Sequence, residues 1–385
     1  MTMITTTEGL ADFCARAARH PYVTVDTEFL RERSYYAQLC LLQLAYPDAS
    51  PDSAVAVDTL APGLDLAPVH ALFRNPSVVK VFHAARQDIE IFEVDAGVIP
   101  TPLFDTQVAA MVCGFGDQAA YETLARKIAR VQIDKSSRFT DWSRRPLSDD
   151  QIAYALADVT HLRAVYEFLS QRLERTGRSS WVREEMAILA DPATYRTDPA
   201  EAWTRIKTRS TSGRFLGVVR ELARFREEHA QSRNVPRSRV LKDDALLELA
   251  SLRPLNEADL GKARLLLRES RRGDIAEGLL AAIRRGLDLP AEDLPRPPPE
   301  DDRAPANPAL ADLLRVLLKA RADAEGVAQK LIATAAELDA IAGGQRDLKP
   351  LFGWRREIFG NDALLLCEGR IALAARGSDV VTVRL

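Results

Sequence analysis

The N-terminal half of the chain alternates short apolar runs with longer segments in which apolar residues recur every three or four positions. The short runs are rich in Val, Leu and aromatic residues, which favours β-strands, and they lie at 22–29, 39–45, 54–58 and 78–83. The longer segments are spaced like amphipathic helices, and they lie at 84–94, 105–113, 118–130 and 149–173. Strands that come first, followed by helices interleaved with further strands, predict an α/β domain, in which helices cover the faces of a sheet.

Beyond residue 203 the apolar pattern is helical almost to the C-terminus. Apolar residues three and four positions apart predict amphipathic helices at 241–250 and 262–285. No convincing strand pattern occurs before the last residues of the chain. The pattern therefore predicts that small helical bundles follow the α/β domain.

Proline and charge mark the boundaries between these regions. Seven prolines fall between positions 290 and 308, together with three consecutive acidic residues. Proline fixes φ and lacks a backbone donor, so this stretch predicts an extended linker. Two Asp-Pro steps at 191–199 indicate a softer boundary. We expect an α/β domain at 1–195, a helical domain at 203–290, a Pro-rich acidic linker at 291–307 and a second helical domain at 308–385.

Composition excludes several classes of protein. The balance of 46% hydrophobic and 28% charged residues argues against a wholly disordered chain. The longest apolar runs hold about five residues, whereas a membrane span needs about 18, and the first twenty residues lack a signal-peptide core. The four cysteines show no metal-ligand or paired spacing, which favours reduced thiols. We therefore expect a cytoplasmic protein that has no contact with membranes.

The charge is unevenly distributed along the chain. The formal net charge of −3 excludes a globally basic coat for nucleic acid. Between Trp203 and Lys242, however, the sequence contains eleven basic residues and only three acidic ones. Such a run is usually a solvated surface, but its sign asymmetry also suits the binding of phosphate groups.

Two carboxylates lie on one face of the strand predicted at 22–29. Side chains alternate along a strand, so Val25 and Thr27 should point into the core while Asp26 and Glu28 point together to the other face. Adjacent carboxylates repel each other unless a cation or proton lies between them, and hard divalent ions prefer oxygen ligands. A solvated polar face of an edge strand is the alternative.

Two further elements carry acids at positions where ligands often bind. Asp88 lies in the first turns of a helix that follows an apolar strand, where α/β sheets place functional groups. Tyr154 and Asp158 are four residues apart, so they share one helix face. The alternatives are a helix N-terminal acid favoured by the helix dipole and an exposed tyrosine beside a solvated acid. Taken together, four acids and a tyrosine on three elements suit two-metal hydrolysis of a phosphodiester.

These three segments resemble the exonuclease motifs of the DEDD-type 3′→5′ exonucleases. The motifs are Asp26-Thr27-Glu28-Phe29, His83 through Asp88 and Tyr154 through Asp158. The tyrosine lies four residues before the last acid, and the position five residues before that acid is alanine. The pattern is therefore similar to the tyrosine subgroup and not to the histidine subgroup.

Further segments resemble the bacterial ribonuclease D family in particular. The resemblance includes Thr27 through Arg31 with Tyr35-Tyr36, then Asp105-Thr106-Gln107, and Asp134 through Trp142. The basic segment from Leu216 to Leu249 resembles an HRDC domain, a small helical nucleic-acid-binding module, and the end of the chain is similar to the end of that family. The resemblance implies an exonuclease domain with a ribonuclease H-like mixed sheet and flanking helices, followed by two all-α HRDC-like domains.

The same resemblance implies roles for the five candidate residues. It implies that Asp26, Glu28 and Asp158 hold one divalent ion, Mg²⁺ or Mn²⁺. It implies that Asp26 and Asp88 hold a second ion, partly through water, and that Tyr154 orients the attacking water. The implied reaction is hydrolysis of the 3′-terminal phosphodiester with release of 5′-nucleoside monophosphates, chiefly from precursor tRNA and other structured RNAs.

Other residues are candidates for contact with RNA. Phe29 could stack on the terminal base, although it shares a face with core valines, and His83 could touch a phosphate, although a buried structural histidine is the plainer interpretation. Asp105 precedes a helix and is expected to cap it. The remaining candidates are basic residues that could contact the RNA backbone: Lys135, Arg138, Arg214, Arg220 and Arg224.

Three functions stay open at this point. The first is a metal-dependent 3′→5′ exoribonuclease, and the second is a 3′→5′ exonuclease that acts on DNA. The third is a non-catalytic RNA-binding protein built around the HRDC-like modules. No protein partner is indicated, so we expect a monomer.

Overall fold

The structure, a computed structural model, describes residues 2–134, 140–296 and 307–385. These residues fall into two compact units. The first unit contains the described residues of 1–28, 40–194 and 301–385, and the second contains those of 29–39 and 195–300. Most of the linker predicted at 291–307 lies outside the described residues, and the domain boundaries stay predictions.

A six-stranded mixed sheet forms the centre of the first unit. Its strands are β1 (Thr2–Ile4), β2 (Tyr22–Leu30), β3 (Gln38–Ala45), β4 (Ala54–Val57), β5 (Val79–Phe82) and β6 (Leu103–Asp105). They lie in the order β1-β4-β3-β2-β5-β6. Strand β2 runs parallel to β5, β5 runs parallel to β6, and β3 runs antiparallel to β4. Strand β2 is therefore interior to the sheet, which excludes the edge-strand alternative for its two carboxylates.

Helices flank this sheet. They are α1 (Thr7–Ala17), α2 (Ala67–Arg74), α3 (Arg86–Ala96), α4 (Thr106–Val112), α5 (Tyr121–Leu124), α6 (Asp149–Arg175) and α7 (Ser179–Leu189). Buried phenylalanines fill part of the space between them, and the rings of Phe73 and Phe92 meet edge to face at 4.9 Å. The predicted α/β domain is confirmed, except that the helix expected at 118–130 is broken into α5 and a π-helical turn at Ala125–Ala129.

The second unit is helical. Its helices are α8 (Gly213–Arg233), α9 (Arg237–Val240), α10 (Asp243–Leu252), α11 (Glu257–Leu260) and α12 (Gly273–Asp288). Helices α8 and α12 cross closely, because a β-carbon on Gly286 would lie 2.6 Å from the Cα of Val218. The connection between β2 and β3 also belongs to this unit. Its Tyr35 donates a hydrogen bond to the buried carboxylate of Glu227, and the Arg237 guanidinium lies 4.6 Å from the centre of the Tyr35 ring.

The C-terminal part of the first unit combines short helices with a hairpin. It contains α13 (Pro308–Glu325), α14 (Gln329–Ile332), α15 (Ala335–Ala342), α16 (Gly353–Arg355), α17 (Asn361–Cys367) and the antiparallel strands β7 (Ile371–Arg376) and β8 (Asp379–Arg384). It packs on α7, where Trp354 stacks on Trp181 with ring centres 4.5 Å apart.

Short 3₁₀ and π-helical segments complete the described structure. The 3₁₀ segments are Pro51–Ser53, Pro192–Thr194, Pro199–Arg205, Glu269–Arg271, Ala291–Asp293 and Lys349–Leu351, and a second π-helical turn is Arg356–Gly360. Within the described ranges, no helix has both the length and the hydropathy that a bilayer span requires.

Candidate active site

Strand β2 and helix α6 bring three carboxylates together. Asp26 and Glu28 are half-buried on β2, and Asp158 is buried on α6. One carboxylate oxygen from each of Asp26, Glu28 and Asp158 lies within 4.8 Å of the others. The Thr24 hydroxyl on β2 links the two elements, since it lies 2.8 Å from the main-chain oxygen of Val159 on α6. The same hydroxyl lies 3.0 Å from the main-chain oxygen of Ala45 on β3.

The sequence of α6 fixes the register of its functional residues. A capping box starts the helix, since the Ser148 hydroxyl accepts from the Gln151 N–H and the Gln151 side chain accepts from the Ser148 N–H. Tyr154 and Asp158 then lie one turn apart, and their side chains are hydrogen-bonded to each other. The tyrosine hydroxyl therefore lies beside the carboxylate cluster.

The fourth acid, Asp88, lies next to this cluster. It is buried in the first turn of α3, and its carboxylate accepts a hydrogen bond from the Thr27 hydroxyl on β2. The prediction that Thr27 points into the core is confirmed, but it does not include this hydrogen bond. Thr27 is buried as expected, but its hydroxyl holds a carboxylate.

Like charges and burial disfavour ionised carboxylates in this cluster. Burial and then the neighbouring Asp158 raise the pKa of Asp26, although a backbone N–H at Thr27 opposes the shift. Burial and then Asp26 raise the pKa of Asp88, against the hydrogen bond from Thr27. A divalent cation between these oxygens would remove the repulsion. A set of carboxylate donors crowded in this way fits a hard cation such as Mg²⁺ or Mn²⁺.

The cluster lines a cleft of about 310 Å³. The residues around it are Asp26, Glu28, His83, Ala120, Tyr121, Glu122, Ile133, Tyr154, Asp158 and Leu162. Sequence reasoning missed Tyr121, whose hydroxyl donates to the main-chain oxygen of Asp158 at 2.6 Å. Tyr121 thus ties α5 to the turn of α6 that carries the acid, a contact that spans 37 residues of sequence.

His83 lies in the wall of this cleft. Its Nδ1 is 3.0 Å from the Thr106 hydroxyl, and its ring also has a hydrogen bond to the backbone at Ala119. Burial lowers the pKa of His83, which favours the neutral ring. These contacts support a structural role for His83 more than contact with phosphate.

The other predicted RNA contacts have varied surroundings. Lys135 and Arg138 lie outside the described residues, and Phe29 is half-buried at the end of β2. The remaining three arginines lie on α8 in the second unit and each makes a contact.

Arg214 donates to the carbonyl oxygens of Leu287 and Leu289 at 2.7 and 2.6 Å, at the end of α12. Arg220 donates to the Asp293 carbonyl oxygen at 3.2 Å. Arg224 is exposed and pairs with Glu228 at 2.8 Å across one helical turn. Of the three, Arg224 is the one whose partner a phosphate could most easily replace, because exposed ion pairs are weak.

Comparison with known proteins identifies the class of this fold and site as 3′-5′ exonucleases. The family model described as "3'-5' exonuclease" matches residues 1–174, and the HRDC domain model matches residues 215–283. Exonucleases of this class depend on divalent metal ions, in keeping with the acidic cluster.

Relatives similar over nearly the whole chain narrow the assignment. Ribonuclease D of Jannaschia sp. (strain CCS1) is 61% identical over 99% of both chains. Ribonuclease D of Granulibacter bethesdensis is 51% identical over 98% of this chain and 95% of the relative. The crystal structure of Escherichia coli RNase D superposes with a TM-score of 0.83 at 28% identity, and covers 96% of this chain and 98% of its own. The chain belongs to the ribonuclease D family, and it is a 3′-5′ exoribonuclease.

The predicted fold class is thereby confirmed: an α/β exonuclease domain is followed by a helical HRDC region. The C-terminal hairpin of β7 and β8 is an addition to the helices that the sequence pattern predicts.

Proposed function

We propose that this enzyme trims the 3′ ends of precursor tRNA and other structured RNAs by two-metal hydrolysis, and that it releases 5′-nucleoside monophosphates. The observation that carries the proposal is the convergence of Asp26, Glu28 and Asp158 within 4.8 Å, beside Asp88 and at an open cleft. The structured-RNA substrate is supported by the similarity to E. coli RNase D, which is described as an exoribonuclease involved in structured RNA processing.

Each acid has a place in this mechanism. Asp26, Glu28 and Asp158 would hold one divalent ion, and Asp26 with Asp88 would hold the second. Bound there, the pair would supply an activated water and neutralise charge on the leaving 3′ oxygen. The protein positions these carboxylates before substrate arrives, because hydrogen bonds join β2 to both helices. The Thr27 hydroxyl contacts Asp88 on α3, and the Thr24 hydroxyl contacts the Val159 carbonyl oxygen on α6.

Tyr154 would orient the attacking water. Burial first, and then the nearby Asp158, Glu28 and Asp26, raise the pKa of its hydroxyl. The phenol therefore keeps its proton at neutral pH and can donate a hydrogen bond. Its place next to Asp158 directs that hydrogen bond into the carboxylate cluster.

Replacement of Tyr154 by Phe should slow the chemical step about 10- to 100-fold, the value of a hydrogen bond near charged groups. The measurement is the single-turnover rate with enzyme in excess over a 3′-labelled RNA. Tyr166→Phe on the same helix is the matched control, because Tyr166 packs against Tyr22 and Phe104. Equal rates for Tyr154→Phe and the wild type would remove Tyr154 from the mechanism.

Metal binding should depend on pH with a defined sign. The pKa values of Asp26 and Asp88 are raised from 3.8, so the metal-free native state keeps protons that the unfolded chain loses. The protonated forms of Asp26 and Asp88 therefore stabilise the metal-free fold. This stabilisation is complete below the ordinary pKa of an aspartate and is lost as pH rises through the raised pKa values. Cations that displace these protons should bind more tightly as pH rises.

The matched comparison for this prediction is Asp88→Asn against the wild type, both free of metal. The unfolding temperature of the variant, relative to that of the wild type, should increase as pH rises from about 4 to about 8. Calorimetric titration of wild type with Mn²⁺ in two buffers should show proton release. A constant difference in unfolding temperature, with no proton release, would contradict the raised pKa values.

The second unit would hold the body of the RNA. Exposed Arg224 and the basic segment around it suit the RNA backbone, whose phosphates dominate the affinity of such modules.

We also propose that the protein is a monomer in the cytoplasm. The four free thiols, three of them buried, support a reducing compartment.

The test is a nuclease assay on a tRNA with a 3′ extension, with and without chelator, that resolves products by length. We expect stepwise shortening from the 3′ end in Mg²⁺ or Mn²⁺, mononucleotide products and no reaction in chelator. Equal degradation of a DNA oligomer of the same sequence would contradict the proposed preference for structured RNA. Hydrolysis in chelator, or products other than mononucleotides, would contradict the proposed two-metal mechanism.

A further inference from the structure

We propose that Asp105 is a positioning residue for Asp88 and acts through the turn His83–Ala85. The inference rests on the proposed function, in which Asp88 holds a metal ion. Asp105 is the last residue of β6 and the N-cap of α4. A capping role is expected from the sequence, but the carboxylate also binds a second element.

The Asp105 carboxylate is 2% exposed and accepts four backbone hydrogen bonds. Two come from its own helix, from the N–H of Gln107 at 2.8 Å and of Val108 at 3.5 Å. The other two come from the N–H of Ala84 at 3.0 Å and of Ala85 at 2.9 Å, which lie in the turn between β5 and α3. An ordinary cap serves one helix, whereas Asp105 joins two.

The turn that Asp105 holds is strained. Ala84 has a φ of 59°, in the left-handed region where residues with a β-carbon are disfavoured. Helix α3 then begins at Arg86, and its N-cap, Ala85, has no side-chain cap of its own. The hydrogen bonds from Ala84 and Ala85 to Asp105 therefore keep the backbone in a conformation that it would otherwise leave.

Asp88 lies three residues beyond Ala85, in the first turn of α3. A change in the turn would rotate or shift that first turn, and with it the Asp88 carboxylate. The Thr27 hydroxyl fixes that carboxylate from β2, while the Asp105-held turn fixes the backbone beneath it. Asp105 thus acts on the second metal position without lying among the metal ligands.

Asp105→Asn tests the inference. The amide keeps the size of the side chain, but its NH₂ group must face either the Ala85 N–H or the Ala84 N–H, so one acceptor is lost. Calorimetric titration of metal-free protein with Mn²⁺, without RNA, should show affinity at one site reduced about 10- to 100-fold, as for loss of a group that orients a ligand. The kcat should fall by a similar factor, and the KM for RNA should stay within about 2-fold.

Two variants of Ala84 separate positioning from simple capping. Ala84→Gly relieves the left-handed strain, so in the Asp105→Asn background it should restore part of the Mn²⁺ affinity. Ala84→Val disfavours the turn while Asp105 and its cap on α4 stay intact, so alone it should weaken Mn²⁺ binding. Asp65→Asn is the control, since that carboxylate accepts from the Ala67 N–H at the start of α2 and should leave Mn²⁺ binding unchanged.

Wild-type Mn²⁺ affinity and kcat in either Asp105→Asn or Ala84→Val would overturn the inference. A lower unfolding temperature with wild-type Mn²⁺ affinity would show that Asp105 has only a structural role, and would also overturn the inference. Should Asp105→Asn not fold, Ala84→Val still decides. Asp88→Asn, measured in parallel, separates the two levels: if that variant binds two ions and hydrolyses RNA normally, the proposed function itself fails.

Discussion

Asp158→Asn should reduce RNA hydrolysis by at least about 10³-fold while RNA binding is retained, because the change removes a carboxylate from the cluster and leaves the second unit untouched. In metal-free protein the variant should unfold at the same temperature as wild type or higher, since Asp26 loses a repulsive neighbour. Mn²⁺ should raise the unfolding temperature of the variant by less than it raises that of wild type, because only the position between Asp26 and Asp88 remains. The measurements are single-turnover hydrolysis, RNA binding in chelator and thermal unfolding with and without Mn²⁺.

Asp150→Asn is the matched control for this prediction. Asp150 is an exposed residue in the first turn of the same helix, so its neutralisation should leave hydrolysis and metal-dependent stabilisation intact. Normal turnover by Asp158→Asn would refute the assignment of Asp158. Loss of RNA binding with loss of turnover would point to a folding defect.

Arg355→Ala should lower the free energy of unfolding of the first unit by about 2–3 kcal/mol, because it removes the buried partner of Glu185, which then keeps only the more exposed Lys349 at 3.1 Å. Arg355 is 2% exposed. Its guanidinium pairs with the buried carboxylate of Glu185 on α7 and donates to the Leu331 carbonyl oxygen at 2.8 Å. It also lies 4.3 Å from the centre of the Trp354 ring. Denaturant unfolding followed by tryptophan fluorescence would report the loss, since Trp354 stacks on Trp181.

An exposed ion pair in the same region provides the control for that variant. Arg370 lies 3.5 Å from Glu368, and both side chains are more than half exposed. Arg370→Ala should therefore change the free energy of unfolding by less than about 1 kcal/mol. If both variants unfold alike, residues 308–385 do not brace the exonuclease part of the unit through Arg355.

Sequence reasoning succeeded where the signal is local and long enough. Strands β2 to β5 each carry at least four residues of apolar pattern, and α6 has a cap and seven turns, so their positions could be predicted. The pairing of Tyr154 with Asp158 follows from helical geometry alone. Strands β1 and β6 cannot be predicted in this way, because three residues are too few to show a period.

The parts of the site that the sequence does not reveal depend on contacts between distant segments. Tyr121 reaches Asp158 across 37 residues and is the first residue of α5, a four-residue helix that a π-helical turn follows. Thr27 follows the strand alternation, yet nothing in that alternation shows that its hydroxyl meets Asp88. Asp105 has the sequence signature of a cap, and only the structure shows that its second oxygen binds the turn before α3.

Anomalous diffraction from crystals soaked in Mn²⁺ tests the catalytic centre most directly. We predict two peaks, one among the carboxylates of Asp26, Glu28 and Asp158 and the other between Asp26 and Asp88. Soaked crystals of Asp158→Asn should lose the first peak. The absence of any peak at these four carboxylates, in crystals of protein that hydrolyses RNA in the same Mn²⁺ solution, would contradict the account.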